Sequence, residues 1–533
     1  MKKIDLRMSF GFVVIWLIFV ASCSYRVERS PQVAVIAIPA DPAVLNPILT
    51  TELSGHRICD HIFDSLISLD NTTYEPRPML AESWNVSEDG LTIVFHLKKG
   101  VLWHDGVALT ADDVVFTFSA ITDERVVAPL YGGLFRALSG VYKIDDHSVK
   151  FVFGEPFFRS LTTAGLIKII PKHIYADLDN FGTNSANRKP VGSGPYRFAG
   201  WKLGNRVDIS RNDFYYGAKP ELSGIVFKVI SDKSAALEAL KKGEVDVSEI
   251  SSLEWTFQTG DEKFASRFGK HLYYPPNISL IVWNNRRPYF SDRRVRKALG
   301  MLIDREKILK KVMFGLGETI SGPLYRFGPN YAADIKPDSY DPNEARRLLD
   351  ESGWVDHDDD GIRDKDGVSF RFDFMIRSND RFGRSVALFL KEELRRLGIE
   401  MTISTFEWAT LVGRLMQRDF DAAPMNFAIG IVDDPFNMWH SSGLKDGSNY
   451  SGFINERVDR ILEEARREYD PRKRRVLYGE LQHIMHEKQP AAFLYIMPTL
   501  MAIAGRFENV VDYPAAPDTN EWKVGVSQTL WEW

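Results

Sequence analysis

Residues 80–121, LAESWNVSEDGLTIVFHLKKGVLWHDGVALTADDVVFTFSAI, constrain the fold of this chain more than any other stretch. A strand signal is followed there at once by a helix signal. Glu88-Asp89-Gly90 is turn chemistry and leads into residues 91–97 (LTIVFHL), whose apolar and β-branched run predicts a strand. Asp105-Gly106 has the composition of a hairpin turn. Thr110-Ala111-Asp112-Asp113 predicts a helix start, because the Thr110 hydroxyl can cap backbone N–H groups and acidic residues suit the first turn. Two helix starts further on are as clear. Asp341-Pro342-Asn343-Glu344 offers Asp as N-cap, Pro in the first turn and Glu at the third position. Ser291-Asp292 opens SDRRVRKALGMLIDREKIL, read as one helix with Val295 and Leu299 on its core side. Residues 392–397 predict another helix, feeding a strand at 399–403. Strands and helices alternating along the whole chain predict an α/β fold.

The N-terminus predicts export. Lys2, Lys3 and Arg7 form a basic start, and residues 8–21 are nearly free of polar groups. That run falls short of the roughly 20 apolar residues a membrane span needs, and it fits a signal peptide. Ala21-Ser22 before Cys23 has the small-residue pattern of lipoprotein processing, so residues 1–22 read as a signal peptide, Cys23 as the lipidation site and 23–30 as a polar tether. Ser24, in place of the aspartate that often retains lipoproteins at an inner membrane, hints at outer-membrane sorting. With Cys23 acylated, Cys59 has no partner for a disulfide and reads as a small buried hydrophobe.

The formal charge is −5, and losing the leader, with three cations against Asp5, leaves the mature domain nearer −7. That balance argues against nucleic acid or an anionic membrane surface as a partner. A hydrophobic content of 44% with 12% aromatics indicates a well-cored globular protein. About 510 mature residues exceed a single ordinary core, so two or three lobes are expected.

Five blocks, in order, resemble the bacterial extracellular solute-binding proteins of family 5, the oligopeptide-, dipeptide- and nickel-binding receptors of ABC importers. They are residues 80–121; the loop Pro190-Val191-Gly192-Ser193-Gly194-Pro195-Tyr196; residues 290–308; residues 340–354; and Arg418-Asp419-Phe420-Asp421 with Asp434-Pro435 and Asn449-Tyr450-Ser451-Gly452 downstream. Each block also has a plain backbone or packing reading, so the motifs identify a fold rather than ligand contacts. The resemblance implies a type II periplasmic-binding-protein-like architecture of two lobes joined by a hinge, plus an extra subdomain. Lobe I is expected from residues 31–52, 172–276 and 491–533, the extra subdomain from 53–171 and lobe II from 277–490. The crossings are expected at 274–283 and 489–495, both carrying prolines. Such proteins close on a ligand by hinge motion.

The cleft that follows from the resemblance draws on Trp408, Asn426, Phe427, Asp433, Asp434, Trp439 and Tyr450, with core packing the competing reading for each aromatic. Peptide receptors of the family place an ammonium-binding aspartate three residues before the acidic-Pro pair; here that position is Ile431, and Asp433 is the nearest carboxylate before Asp434-Pro435. The expected function is therefore capture of peptides or a related small solute for an importer. An oligosaccharide, an opine or a metal chelate is the alternative ligand, and a sensor lipoprotein the alternative role. The partners expected are the ligand, ABC permease subunits and a membrane reached through the lipid anchor. The mature domain is expected to be monomeric, and no nucleic acid is expected.

Asp356, Asp358 and Asp360 alternate before Gly361, with Asp364 following. Hard oxygen ligands at that spacing suit a structural calcium ion, but Gly367 stands where a calcium-binding helix-loop-helix has its bidentate Glu, and a solvated acidic turn is the competing reading. No cofactor is required. No Gly-x-Ser-x-Gly, His-Glu-x-x-His or phosphate-binding glycine loop occurs, His483 and His486 sit in an ordinary helical pattern, and the chain is not expected to be an enzyme; a secreted hydrolase is the least favoured alternative.

Overall fold

The computed structural model describes residues 30–128, 131, 138–430, 434–514 and 516–525. The leader, Cys23, Ile431 and Asp433 lie outside the described residues.

Two large sheets organise the molecule. The first runs, in spatial order, Phe268–Tyr273, Thr499–Ala504, Val247–Glu249, Val33–Ile38, Gly224–Val229, Arg206–Arg211 and Tyr196–Lys202. The second runs Glu318–Thr319, Ala491–Ile496, Asn277–Trp283, Ala422–Ala428, Arg371–Arg377 and Glu400–Phe406. A separate four-stranded antiparallel sheet, Ala81–Val86, Thr92–Leu97, Ser148–Phe153 and Leu138–Asp145, lies within residues 53–171, the stretch read as an extra subdomain. Its alternating strands bury Ile93, Phe95 and Leu97 on one face, as the sequence pattern requires.

The subdomain has no separate core. One apolar cluster runs from Val33–Ile38 through Ile93, Phe95 and Phe151 to Ala502 and Ile503, whereas two further clusters pack about the second sheet. The helix Leu53–Ile62, expected in the subdomain, lies against the first sheet, with the His61 ring edge-on to Tyr196 at 5.5 Å.

The start of the first lobe is held by a buried ion pair. Arg506 and Asp246 meet at 2.9 Å, both almost fully buried. Asp246 also accepts from Val35 N–H at 2.7 Å, and Arg506 donates to Val33 O at 2.7 Å and to Pro31 O. The C-terminal segment thereby anchors the first strand.

The second crossing falls later than the sequence suggests. Residues 491–496 (AAFLYI) were expected to begin lobe I, but the strand Ala491–Ile496 is buried along its whole length inside the second sheet, paired with Asn277–Trp283 and Glu318–Thr319. Pro490 stands immediately before that strand instead of in the connection, where its missing N–H takes no bond from the ladder. The crossing is Met497-Pro498, and it lies beside the first crossing, Tyr274-Pro275-Pro276: Tyr273 pairs with Thr499 on one side and Ser279 with Tyr495 on the other.

The expected helix over SDRRVRKALGMLIDREKIL is two helices, Arg293–Met301 and Arg305–Val312, because Asp304 caps a second start by accepting from Lys307 N–H at 3.0 Å. Asp292 caps the first, Thr110 and Asp113 form a reciprocal capping box on Ala111–Thr122, and Asp341 accepts from Asn343 and Glu344 N–H at 3.0 Å. The helix expected at 392–397 is the end of Arg381–Arg396.

Three of the recognised blocks carry two polar clamps, the first half-buried and the second buried. His104 Nδ1 accepts from Gly192 N–H at 3.2 Å, and its Nε2 is 3.0 Å from Gly194 O, so the imidazole is neutral with its proton on Nε2. Gly192 is needed there because a Cβ would fall 1.8 Å from Ile62 O. Arg296, which is buried, donates to Phe290 O, Lys488 O and Gln489 O, each at 2.7 Å, closing the C-terminal end of the helix Pro471–Lys488. Replacing Arg296 by Met leaves those carbonyls unpaired and should cost about 3 kcal/mol in urea unfolding; a loss below 0.5 kcal/mol would contradict the clamp.

Burial depresses the His104 pKa from 6.5 to about 4. The folded state therefore resists a proton that the unfolded chain accepts, and stability from this group is intact above pH 6.5 and falls as pH drops towards 4. The loss should reach about 3 kcal/mol. Chemical unfolding of wild type and His104→Asn at pH 7.5 and 4.5 should show the smaller acid sensitivity in the variant.

Candidate ligand-binding cleft

A cavity of about 230 Å³ lies where the extra subdomain meets the second lobe. One wall is the end of the strand Ala422–Ala428 continuing through Ile429 and Gly430; another is Pro323-Leu324; the rest comes from residues 434–438, Ser448 and Arg159. The wall joins the hinge directly, since Ile429 N–H donates to Pro276 O at 2.8 Å and Tyr325 Oη donates to Tyr274 O at 2.7 Å. The volume is at the small end of the roughly 300–1,000 Å³ range of small-molecule sites. A larger groove, about 730 Å³, runs along the outside of the helices Glu456–Arg467 and Pro471–Lys488. It is open to solvent, edged by Glu463, Glu464 and Lys473, and lined by no residue of either crossing, whereas the wall of the smaller cavity is bonded to one, so the smaller cavity is the better site.

The residues singled out from the sequence separate into three groups. Phe427, Asp434 and Tyr450 gather at the cavity: Phe427 and Asp434 line it, and Tyr450 stacks on Phe427 with ring centres 6.0 Å apart. Burial raises the Tyr450 pKa, against the lowering effect of Arg418, whose guanidinium lies 5.4 Å from the ring centre. Asn426 is on the same strand but exposed, accepting from Ser279 Oγ at 3.3 Å, and Trp408 is half-exposed at the start of the helix Trp408–Gln417; neither lines the cavity. Trp439 is core, 3% exposed and packed on Phe493 with ring centres 5.8 Å apart. Its neighbour segment turns it inward, because Pro435 begins a single helical turn, Phe436–Trp439.

Asp434 is not free to meet a ligand cation. Arg466 holds both its oxygens, at 2.8 Å and 3.1 Å, and stacks on Phe436 with its guanidinium 3.7 Å from the ring centre. Charge-assisted, two-point pairing of this kind is strong and directional. Asn449, completely buried, fixes the following loop by donating to His440 O and Phe453 O at 3.2 Å and 2.9 Å.

Closure is made by residues the sequence did not mark. The segment after Ser148–Phe153 carries Phe157 and Phe158 onto the second lobe. Phe158 N–H donates to Arg466 O at 2.8 Å, and Arg474 lies 4.0 Å over the Phe158 ring. Tyr469 Oη is 3.2 Å from Gly90 O and from Phe157 O, and accepts from Phe157 N–H at 3.2 Å. Gly90 has φ +71°, and a Cβ there would sit 2.2 Å from that hydroxyl. A second contact between lobes is the edge-on pair Phe257 and Phe314, 5.0 Å apart. No spacing in the sequence links residues this distant; only the turn Glu88-Asp89-Gly90 was visible as a turn.

The acidic loop lies in the second lobe. Oxygens of Asp356, Asp358 and Asp364 come within 4.8 Å of one another, and Gly361 N–H donates to Asp356 at 2.9 Å. Asp360 is not in that group; it accepts from Arg371 at 3.3 Å and from Ile362 N–H at 2.7 Å. His357 Nδ1 is 3.0 Å from Asp364.

Two lobes on adjacent crossings, with a cavity closed by a third body, define a receptor that encloses a small solute. The chain belongs to the bacterial extracellular solute-binding proteins, family 5, whose model matches residues 75–449. It is 30% identical to the oligopeptide-binding protein AppA of Bacillus subtilis, over 95% of this chain and 96% of that protein, and 28% identical to the dipeptide-binding protein of Escherichia coli, over 81% and 83%. The structure of AppA from Bacillus subtilis with a nonapeptide superposes with a TM-score of 0.78 at 29% identity, covering 92% of this chain and 99% of that one. NikZ from Campylobacter jejuni with Ni(L-His) gives 0.77 at 26% identity, covering 93% and 100%. The fold is that of the type II periplasmic binding proteins. No described helix is long and apolar enough to cross a membrane.

Combining Tyr469→Ala with Phe158→Ala should loosen closure without unfolding either lobe. Small-angle scattering of the ligand-free protein should show a larger radius of gyration than wild type, and an unchanged radius would show that these contacts do not hold the lobes together.

Proposed function

We propose that this chain is the solute-capturing receptor of an ABC importer, that it takes peptides, and that it is tethered to the outer face of a membrane through acylated Cys23. The observation that supports it is the cavity beside the two crossings, closed by Tyr469 and Phe158, in a chain whose relatives include receptors named for oligopeptides and dipeptides. In this reading the protein binds and releases without chemistry. Asp434 is the sole carboxylate among the described lining residues, and it is held by Arg466 rather than poised as an acid or base. A monomer delivering to permease subunits completes the reading. Metal chelates are the second ligand class, favoured by the likeness to a receptor solved with Ni(L-His).

A thermal-shift screen of the mature domain tests it. Peptides of two to nine residues should raise Tm, by the equivalent of about 2.7 kcal/mol at a hundredfold excess over Kd. A shift with nickel–histidine or oligosaccharides and none with peptides would overturn the peptide assignment.

We further propose a structural calcium ion at Asp356, Asp358 and Asp364, supported by their converging oxygens. Millimolar calcium should raise the Tm of wild type and leave Asp356→Asn/Asp358→Asn unchanged. An identical response of both proteins would remove the site.

A further inference from the structure

We infer that Arg159 makes the cleft an anion-binding one, its guanidinium receiving a carboxylate of the captured solute. This rests on the reading of the cavity as the ligand site. Arg159 lines the cavity from the extra subdomain, and its Nε is shut off from solvent with no hydrogen-bond partner. Among the described residues no carboxylate pairs with it. The one described carboxylate on the cavity wall, Asp434, has its charge already matched by Arg466. The described wall therefore carries one uncompensated positive charge, on a half-buried group whose Nε is removed from water without an acceptor, which costs free energy that a bound acceptor would recover. A planar carboxylate suits a guanidinium fork better than any neutral acceptor does.

The position of Arg159 is itself fixed by closure. Phe157 and Phe158, immediately before it, dock on Tyr469, Arg466 and Arg474 of the second lobe. Arg159 uses only its backbone to hold the local structure, its carbonyl accepting from Thr163 N–H at 2.7 Å and Thr162 Oγ1 at 3.1 Å. The side chain is left for the cavity. When the lobes separate, the docking of Phe157 and Phe158 is lost and the cation is withdrawn from the second-lobe wall. Binding of the anionic end and closure are then one event, and release of the ligand follows opening.

The test compares wild type, Arg159→Gln and Arg159→Lys by calorimetric titration with a pool of tri- to nonapeptides bearing free C-termini and the same pool amidated. Wild type should prefer the free-carboxylate pool, and Arg159→Gln should lose that preference with affinity down roughly thirtyfold or more. Arg159→Lys, which keeps charge but not the fork, should fall between. Equal binding of the free-carboxylate pool by wild type and Arg159→Gln would overturn the role of Arg159 while leaving the peptide reading in place. If neither pool binds wild type, the peptide reading fails, and citrate and nickel–histidine decide the point. Binding lost in Arg159→Gln supports the carboxylate subsite; no binding of either, or binding indifferent to the substitution, overturns it. Unchanged Tm of the ligand-free variants shows that the effect is on the ligand and not on folding.

Discussion

The chain passes between its two large sheets at one place, twice, and the rest of the architecture hangs on that. Tyr274-Pro275-Pro276 and Met497-Pro498 run side by side, with paired strands continuing on either side: Phe268–Tyr273 against Thr499–Ala504 in one sheet, Asn277–Trp283 against Ala491–Ile496 in the other. Proline in both crossings removes N–H groups that would otherwise join them into a ladder, so each lobe is stiff up to the crossing and the crossing itself is not a sheet. Motion is thereby confined to a hinge, and the space beside the hinge becomes the place where a ligand is enclosed.

Buried polar groups then fix each body internally. Asp246 with Arg506, Arg296 with the end of a helix and Asn449 with its own loop are removed from water and bonded to backbone partners, and the half-buried His104 does the same for the Gly192–Gly194 loop. Losing any one leaves orphaned backbone groups, which is more costly than the bond itself is favourable. His104, the Gly192–Gly194 loop, Arg296 and Asn449 belong to the family blocks, whereas Asp246 and Arg506 lie outside them. None of them touches the cavity, which explains how one scaffold carries different ligands.

The cavity's electrostatics are set by two arginines from different bodies. Arg466 neutralises Asp434 and stacks on Phe436, turning a carboxylate that resembles a ligand anchor into a wall component. Arg159 arrives from the extra subdomain with nothing to pair with among the described residues. The subdomain is therefore more than a buttress. It shares the first lobe's core and it brings both the closing contacts and a charge to the site.

Much of the fold could be read along the chain because it is written in local chemistry. Turn residues, the caps Thr110, Asp292 and Asp341, and the alternation in residues 91–97 act within a few positions of themselves. The α/β class follows from such signals, and the family from the resemblance of five blocks in order. Where local signals compete, reading fails: Asp304 breaks an expected helix by capping another, and Pro490 precedes a strand that looks like a connection. The site was legible only in part. Phe427, Asp434 and Tyr450 were marked and do meet at the cavity, but Trp439 turns into the core because burial of its ring outweighs exposure beside a ligand. The sequence by itself determined most of the elements and, through the resemblance of its blocks, the family. Only the tertiary structure decided which charges remain unmatched, because Arg466 meets Asp434, and Arg159 and Tyr469 meet the cavity and Gly90, across separations that no residue pattern encodes.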